Sequence, residues 1–284
     1  AAAIKFVDGA TSDIVLADAA DLTIQTNNGT IDIEPQIKGT LTGGGDTTNT
    51  TVTLNASGSS LGTGAVITLD NPDGAVIGTD IGAVGLTAST INLSNDIETD
   101  ASNITISGAV KLAQSAGDYT VIVTSGTAGA GNISFSSTID AIDDTNPEVL
   151  TIIAGSGTVQ ISDAIGATKD LGAVTIQASA ATDTGEVTIE EVGSGTTAGA
   201  TTVTIGHSGT ANDKITFTGG VFVTSDDQTF RADAYDMTGT NPTFIASGKD
   251  ITFVNGGTGD IVLSDTANLT LNTGSGATAG NVSI

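Results

Sequence analysis

Short segments that alternate apolar and polar residues follow one another along almost the whole chain. That pattern decides what it can fold into. In "GTVQISD" (157–163), "GAVTIQA" (172–178), "GEVTIEE" (185–191) and "TTVTIGH" (201–207), pairs such as Val159/Ile161 and Val174/Ile176 fall on one side of an extended backbone, with Thr, Gln or Glu on the other. The rhythm recurs in "TTVTLNA" (50–56), "STINLS" (89–94), "SNITISG" (102–108), "YTVIVTS" (119–125), "GNISFSS" (131–137), "DKITFTG" (213–219) and "KDITFVN" (249–255). Thr and the β-branched aliphatics suit a pleated, half-buried surface. Clusters of Gly, Asn, Asp and Ser between the segments supply tight corners. The Ala-rich stretch 178–181 is too short to make a stable helix.

Many short strands can build a sandwich, a barrel or a solenoid, and composition separates them. The chain holds 38 Gly, no Trp and 3% aromatic residues, so a thick core of large side chains is not available. A sandwich needs many hairpin turns, and two-residue signals of the Asn-Gly kind, as at Asn28-Gly29, are few beside so many strands. Thin strands with small residues at every corner predict an all-β parallel solenoid of about 20–30 residues per coil, with Val, Ile and Ala stacked in columns. Val159, Ile161, Val174, Ile176, Val187, Ile189, Val203 and Ile205 are predicted to share its core.

A longer repetition overlies the coils. "IKFVDGATSDIVLADAADLTI" (Ile4 to Ile24) and "ITFVNGGTGDIVLSDTANLTL" (Ile251 to Leu271) match at 13 of 21 positions without a gap, 247 residues apart. That spacing far exceeds a coil. It predicts a higher-order unit of roughly ten coils copied whole, with residues 1–250 forming one unit and 251–284 the start of the next. Phe6 is then expected to face the interior as Phe253 does, and Leu16 as Leu263 does. Turns at Asp8-Gly9 and Asn255-Gly256 are expected to match. Both ends are expected to be uncapped coils, completed by neighbouring units of the same or an identical chain.

The stretches Ile91 to Ala141 and Leu150 to Ala178, with "GSGTVQI" followed by "LGAVTI", resemble the repeats of filamentous-haemagglutinin-like and autotransporter-like bacterial surface proteins. The resemblance implies a right-handed parallel β-helix on an extracellular fibre or adhesin at the cell surface. It carries over no catalytic residue.

Charge narrows the partners. Seven basic residues against 32 acidic ones give a net charge of −25, which excludes nucleic-acid binding and disfavours anionic lipid. No apolar run is long enough for a membrane-spanning helix, the N-terminal residues do not read as a signal peptide, and no Cys is present. The acidity suits solvated, mutually repelling carboxylates spread along outer faces. Two clusters invite a hard cation such as Ca²⁺: Asp140, Asp143, Asp144 and Glu148 in "IDAIDDTNPE", and Asp226, Asp227, Asp233 and Asp236 in "TSDDQTFRADAYD". Neither has EF-hand spacing, and no cofactor is required by the sequence.

A lone histidine, His207, lacks a Cys or other ligand beside it and reads as a turn residue. Eight Asn-X-Ser/Thr triplets (Asn28, Asn49, Asn55, Asn92, Asn103, Asn132, Asn268 and Asn281) follow from an Asn/Thr-rich composition. "QTFRADAYDMTG" (228–239) gathers Phe230, Arg231, Tyr235 and Met237, read as core filling at an irregular coil. The sequence therefore predicts a non-enzymatic structural or adhesive fibre segment, with an acidic, Ca²⁺-organised coat or ion-binding module as the alternative. A pectate-lyase-like enzyme is a distant third, since its groove would need basic and acidic residues together.

Overall fold

The computed structural model describes residues 2–8, 12–17, 19–40, 50–57, 64–71, 75–78, 80–113, 120–125, 131–143, 147–178, 185–206, 214–255, 260–264, 267–274 and 279–284. Among them there is no helix, hence none long and apolar enough to cross a membrane. The chain opens with β1 (Ala3–Phe6), β2 (Ile14–Leu16), β3 (Leu22–Gln25), β4 (Thr30–Ile33), β5 (Ile37–Gly39), β6 (Val52–Asn55) and β7 (Val66–Leu69). It continues through β8 (Val84–Leu93), β9 (Ile97–Glu98), β10 (Ile104–Leu112), β11 (Thr120–Thr124), β12 (Ile133–Phe135), β13 (Ile139–Ala141), β14 (Val149–Ile153), β15 (Thr158–Ile165) and β16 (Leu171–Gln177). The remaining strands are β17 (Glu186–Val192), β18 (Ala200–Ile205), β19 (Lys214–Phe217), β20 (Val221–Thr224), β21 (Gln228–Ala232) and β22 (Ala234–Met237). Last come β23 (Thr243–Ala246), β24 (Ile251–Asn255), β25 (Ile261–Leu263), β26 (Thr270–Asn272) and β27 (Val282–Ser283).

These strands pair in parallel and stack in three columns, each a face of a β-solenoid. Face I runs β1, β4, β7, the second half of β8 and of β10, β13, the ends of β15 and β17, β20, β23 and β26. Face II runs β2, β5, the single bridging residue Ile77, β9, β11, β14, β16, β18, β21, β24 and β27. Face III runs β3, β6, the first halves of β8 and β10, β12, the starts of β15 and β17, β19, β22 and β25. The chain visits face I, then II, then III, once per coil. Coil length varies: side-chain hydrogen bonds between adjacent rungs join residues 19 apart (Ser94 to Ala113) and 31 apart (Asp250 to Asn281).

In-register parallel pairing puts like side chains over like, so alternation within each strand becomes a continuous apolar interior. The eight residues predicted from "GTVQISD" to "TTVTIGH" are all buried, at no more than 2% exposure. Fully burying a side chain of this size contributes roughly 1.5–3 kcal/mol, and the cluster is unbroken from Leu16 to Phe253. In its last third the core becomes aromatic. Phe217 lies 4.9–5.1 Å from Phe222, Phe230 and Phe244, in edge-on geometry. "QTFRADAYDMTG" forms two regular strands there instead of an irregular coil. Phe230, Tyr235 and Met237 are buried, and the Tyr235 hydroxyl lies 2.9 Å from the Phe230 carbonyl and 2.6 Å from that of Val254.

Corners need special backbone where a strand bends without leaving the sheet. In β10 the register slips between Ser107 and Ala109, and Gly108 there has φ of 141°. A Cβ on Gly108 would lie 1.9 Å from the Ala88 carbonyl oxygen, so only glycine fits. Asn28-Gly29 makes no hairpin. Asn28 takes φ of 56° to turn the corner from β3 to β4, on adjoining faces.

The duplicated segment forms the same strands twice. β2 and β25 coincide residue for residue at the 247-residue offset, and β1/β24 and β3/β26 differ by one or two residues at their bounds. The 247-residue offset is not a whole number of coils. Stepping up face I from β1 through β4, β7, β8, β10, β13, β15, β17 and β20 to β23 makes nine coils, and β24 lies one corner further on, on face II. Phe6 pairs above the buried Ile33 and Leu263 above the buried Met237, so both face inward. They are 37% and 39% exposed, whereas Phe253 and Leu16 are buried. The two Gly turns, at Gly9 and Gly256, lie outside the described residues.

Candidate functional site

The first acidic cluster sits where β13 leaves face I and β14 enters face II. Asp140, on β13, pairs in register with Lys111 one rung away and is 6% exposed. Its Oδ1 accepts the backbone N–H groups of Thr168 (2.8 Å) and Lys169 (3.3 Å), holding the next coil's corner. Asp143 is exposed, and Asp144 lies outside the described residues. Glu148, just before β14, is 1% exposed, and its Oε2 has no hydrogen-bond partner. Burial pushes its carboxyl above the usual range, the Asp143 charge adds to that, and the N–H groups of Glu148 and Ile142 oppose it. The expectation that acidic side chains spread only over solvated faces is therefore corrected at Asp140 and Glu148. Both are buried, and over Asp140 the Thr168–Lys169 corner one coil away closes.

The second cluster is split by a strand. Asp226 and Asp227 precede β21, while Asp233 follows it at the opposite corner. Five residues of strand separate the corners by about 17 Å, so the three carboxylates do not converge. Asp226 meets the Lys249 ammonium at 3.0 Å, and that contact holds its carboxyl below the usual range. Asp227 Oδ1 accepts the Asp250 N–H at 2.9 Å, and Asp250 Oδ1 accepts the Asn281 N–H at 2.7 Å. Asp233 Oδ1 is buried without a partner. Asp236 lies on β22, 3.1 Å from Lys214, which also meets Glu186 at 2.9 Å on the rung below. Among the described residues no group of three or more Asp, Glu or His side chains is placed to hold an ion. His207 lies outside them.

What the sequence reading missed is a set of ladders at strand entrances. Asn103 Oδ1 accepts the Asn132 N–H (2.9 Å), and Asn132 Oδ1 accepts that of Thr158 (2.9 Å). Asp21 does the same for Thr51, Asp96 for Ile122 and Asn241 for Asn268. Each Oδ1 satisfies an N–H one rung on that strand pairing leaves free. The signal was legible: Asn or Asp stands directly before the first apolar residue in "SNITI", "GNISF" and "KDITF". Lysines also span rungs, Lys5 bridging Asp32 and Glu34, and Lys38 reaching Asp13. A packing gap lined by Val192, Val203, Phe222, Thr224, Gln228 and Phe230 is too narrow for a water molecule. Compared with protein-family models, curated proteins and solved structures, the chain matches none.

Proposed function

We propose that the chain is a segment of an extracellular structural or adhesive fibre, built from tandem 247-residue solenoid units and borne on a cell surface. The observation that carries this reading is that the duplicated segment forms the same three strands at both of its places. A solenoid extends by adding rungs, each of which needs only its neighbours. At about 4.8 Å per rung, nine coils lengthen the rod by about 45 Å per unit. The acidic exterior keeps such rods apart in solution. Units of the same or identical chains follow end to end, and the body acts as spacer or filament with no catalytic role. Immunogold labelling of intact cells tests this: label on projecting filaments supports it, and label confined to the cell interior sinks it.

A second reading, a Ca²⁺-organised acidic coat, draws on one observation, the unpartnered buried Oε2 of Glu148 near the Asp143 charge. Calorimetry with EDTA and with added CaCl₂ separates the two. Loss of stability on chelation favours the coat, and an unchanged transition favours the fibre.

A further inference from the structure

We infer that the rod end formed by β21, β22 and β23 is the docking surface for the opening segment of a following copy of the unit, and that each copy joins turned by one face relative to the last. This rests on the tandem reading above and fixes its geometry. In the first copy the segment lies as β1 on face I, β2 on face II and β3 on face III. In the second copy it lies as β24 on face II, β25 on face III and β26 on face I. One sequence thus occupies each of its strand positions on two different faces of one rod.

The physical reason is that the three faces offer the segment the same things. Each presents a column of apolar side chains and a row of strand N–H and C=O groups, and the inward residues of the segment are the same in both copies: Ile4/Ile251, Phe6/Phe253 and Leu16/Leu263. What the seat on β21–β23 adds is aromatic. Phe253 stacks on Phe230 at 5.0 Å and meets Tyr235 edge-on at 5.3 Å, and it is 3% exposed. Phe6, its counterpart, pairs with Ile33 and is 37% exposed. Outward positions differ and follow local neighbours. Lys5 meets Asp32, whereas Thr252 in its place pairs with Thr229.

A one-face turn per unit has a consequence for recognition. The in-register row Thr151, Thr175, Thr204 and Thr229 on face II reappears one face round in the next unit and returns after three. The fibre therefore shows every row of the unit on all three sides, and a partner that reads such a row meets it from any direction.

The test replaces residues 251–271 of the full chain with the sequence of 4–24, eight substitutions in all, and reads the seat with a disulfide in this cysteine-free protein. Arg231→Cys with Val254→Cys joins register partners on face II. The expected result is closure of this pair in both the parent and the grafted chain, with a midpoint lowered by only a few degrees. Some lowering is expected because Asp in place of Asn268 loses the amide contact to Asn241. Failure of this pair to close in the grafted chain, while the parent closes it, overturns the inference. Failure of the tandem reading would show separately, as absence of filaments on cells with this disulfide unchanged.

Discussion

Glu148→Gln is expected to stabilise the protein at neutral pH and to leave it unchanged in acid. Glu148 is 1% exposed and one of its carboxylate oxygens has no partner. Burial first, and then the Asp143 charge, hold its folded pKa above the ordinary value of about 4.3. A carboxyl raised in this way binds its proton more tightly in the folded than in the unfolded chain. Its contribution to stability therefore falls as pH rises from the unfolded to the folded pKa, and the full cost persists above that. Leaving a buried polar group unsatisfied costs about 1–3 kcal/mol. Gln leaves the same position polar, so only the part of that cost due to the charge is relieved, and about 1–2 kcal/mol is expected at pH 7.5. Glutamine keeps the shape and removes the charge. Denaturant unfolding of both proteins at pH 7.5 and at pH 4 measures the difference, and the titration of every other carboxylate cancels in the comparison. A difference that is the same at both pH values, or a less stable Gln variant at pH 7.5, would refute the reasoning.

Phe217→Ala removes the ring at the centre of the aromatic cluster and should cost about 3–5 kcal/mol, with Phe217→Leu much milder by the same urea titration; equal effects would contradict the packing described. Asp227→Ala and Asp250→Ala each remove a ladder acceptor and should cost about 1 kcal/mol, and a double-mutant cycle should show the two costs adding, since Asp227 accepts from the backbone N–H of Asp250, which the Ala variant keeps. Lys214→Met, which removes the two partly exposed ion pairs to Glu186 and Asp236, should change stability by less than about 1 kcal/mol. Raising NaCl from low to physiological ionic strength should raise the thermal midpoint, because screening relieves the repulsion of a −25 chain; a fall would mean that the lysine bridges dominate.

The strands were legible because period-two alternation is a local property, and Val159, Ile161, Val187 and Ile189 could be placed from their own neighbours. Shorter or fully apolar strands were not: β13 is the three residues "IDA", and β20, "VFVT", buries three of its four, so neither shows alternation. Burial of Asp140 was not legible either, because it depends on Thr168 and Lys169, brought over it by a coil whose length the sequence does not mark. Variable coil length also hid the one-face turn, since 247 residues translate into coils only once each corner is known. The second acidic cluster misled in the opposite way. Asp227 and Asp233 are close in sequence, yet a straight strand between them holds them at different corners.

The most direct test of the stacked, three-faced solenoid is a series of spin-label distances along face II. Thr151, Thr175, Thr204, Thr229 and Thr252 are successive register partners, all outward-facing, on β14, β16, β18, β21 and β24. With one label fixed at Thr151→Cys and the second moved to Thr204→Cys, Thr229→Cys and Thr252→Cys, the mean separation should rise linearly by about 4.8 Å per rung. It should reach about 19 Å plus a constant label offset at the last pair. A separation that levels off, reverses or jumps between neighbouring positions would contradict a single in-register stack.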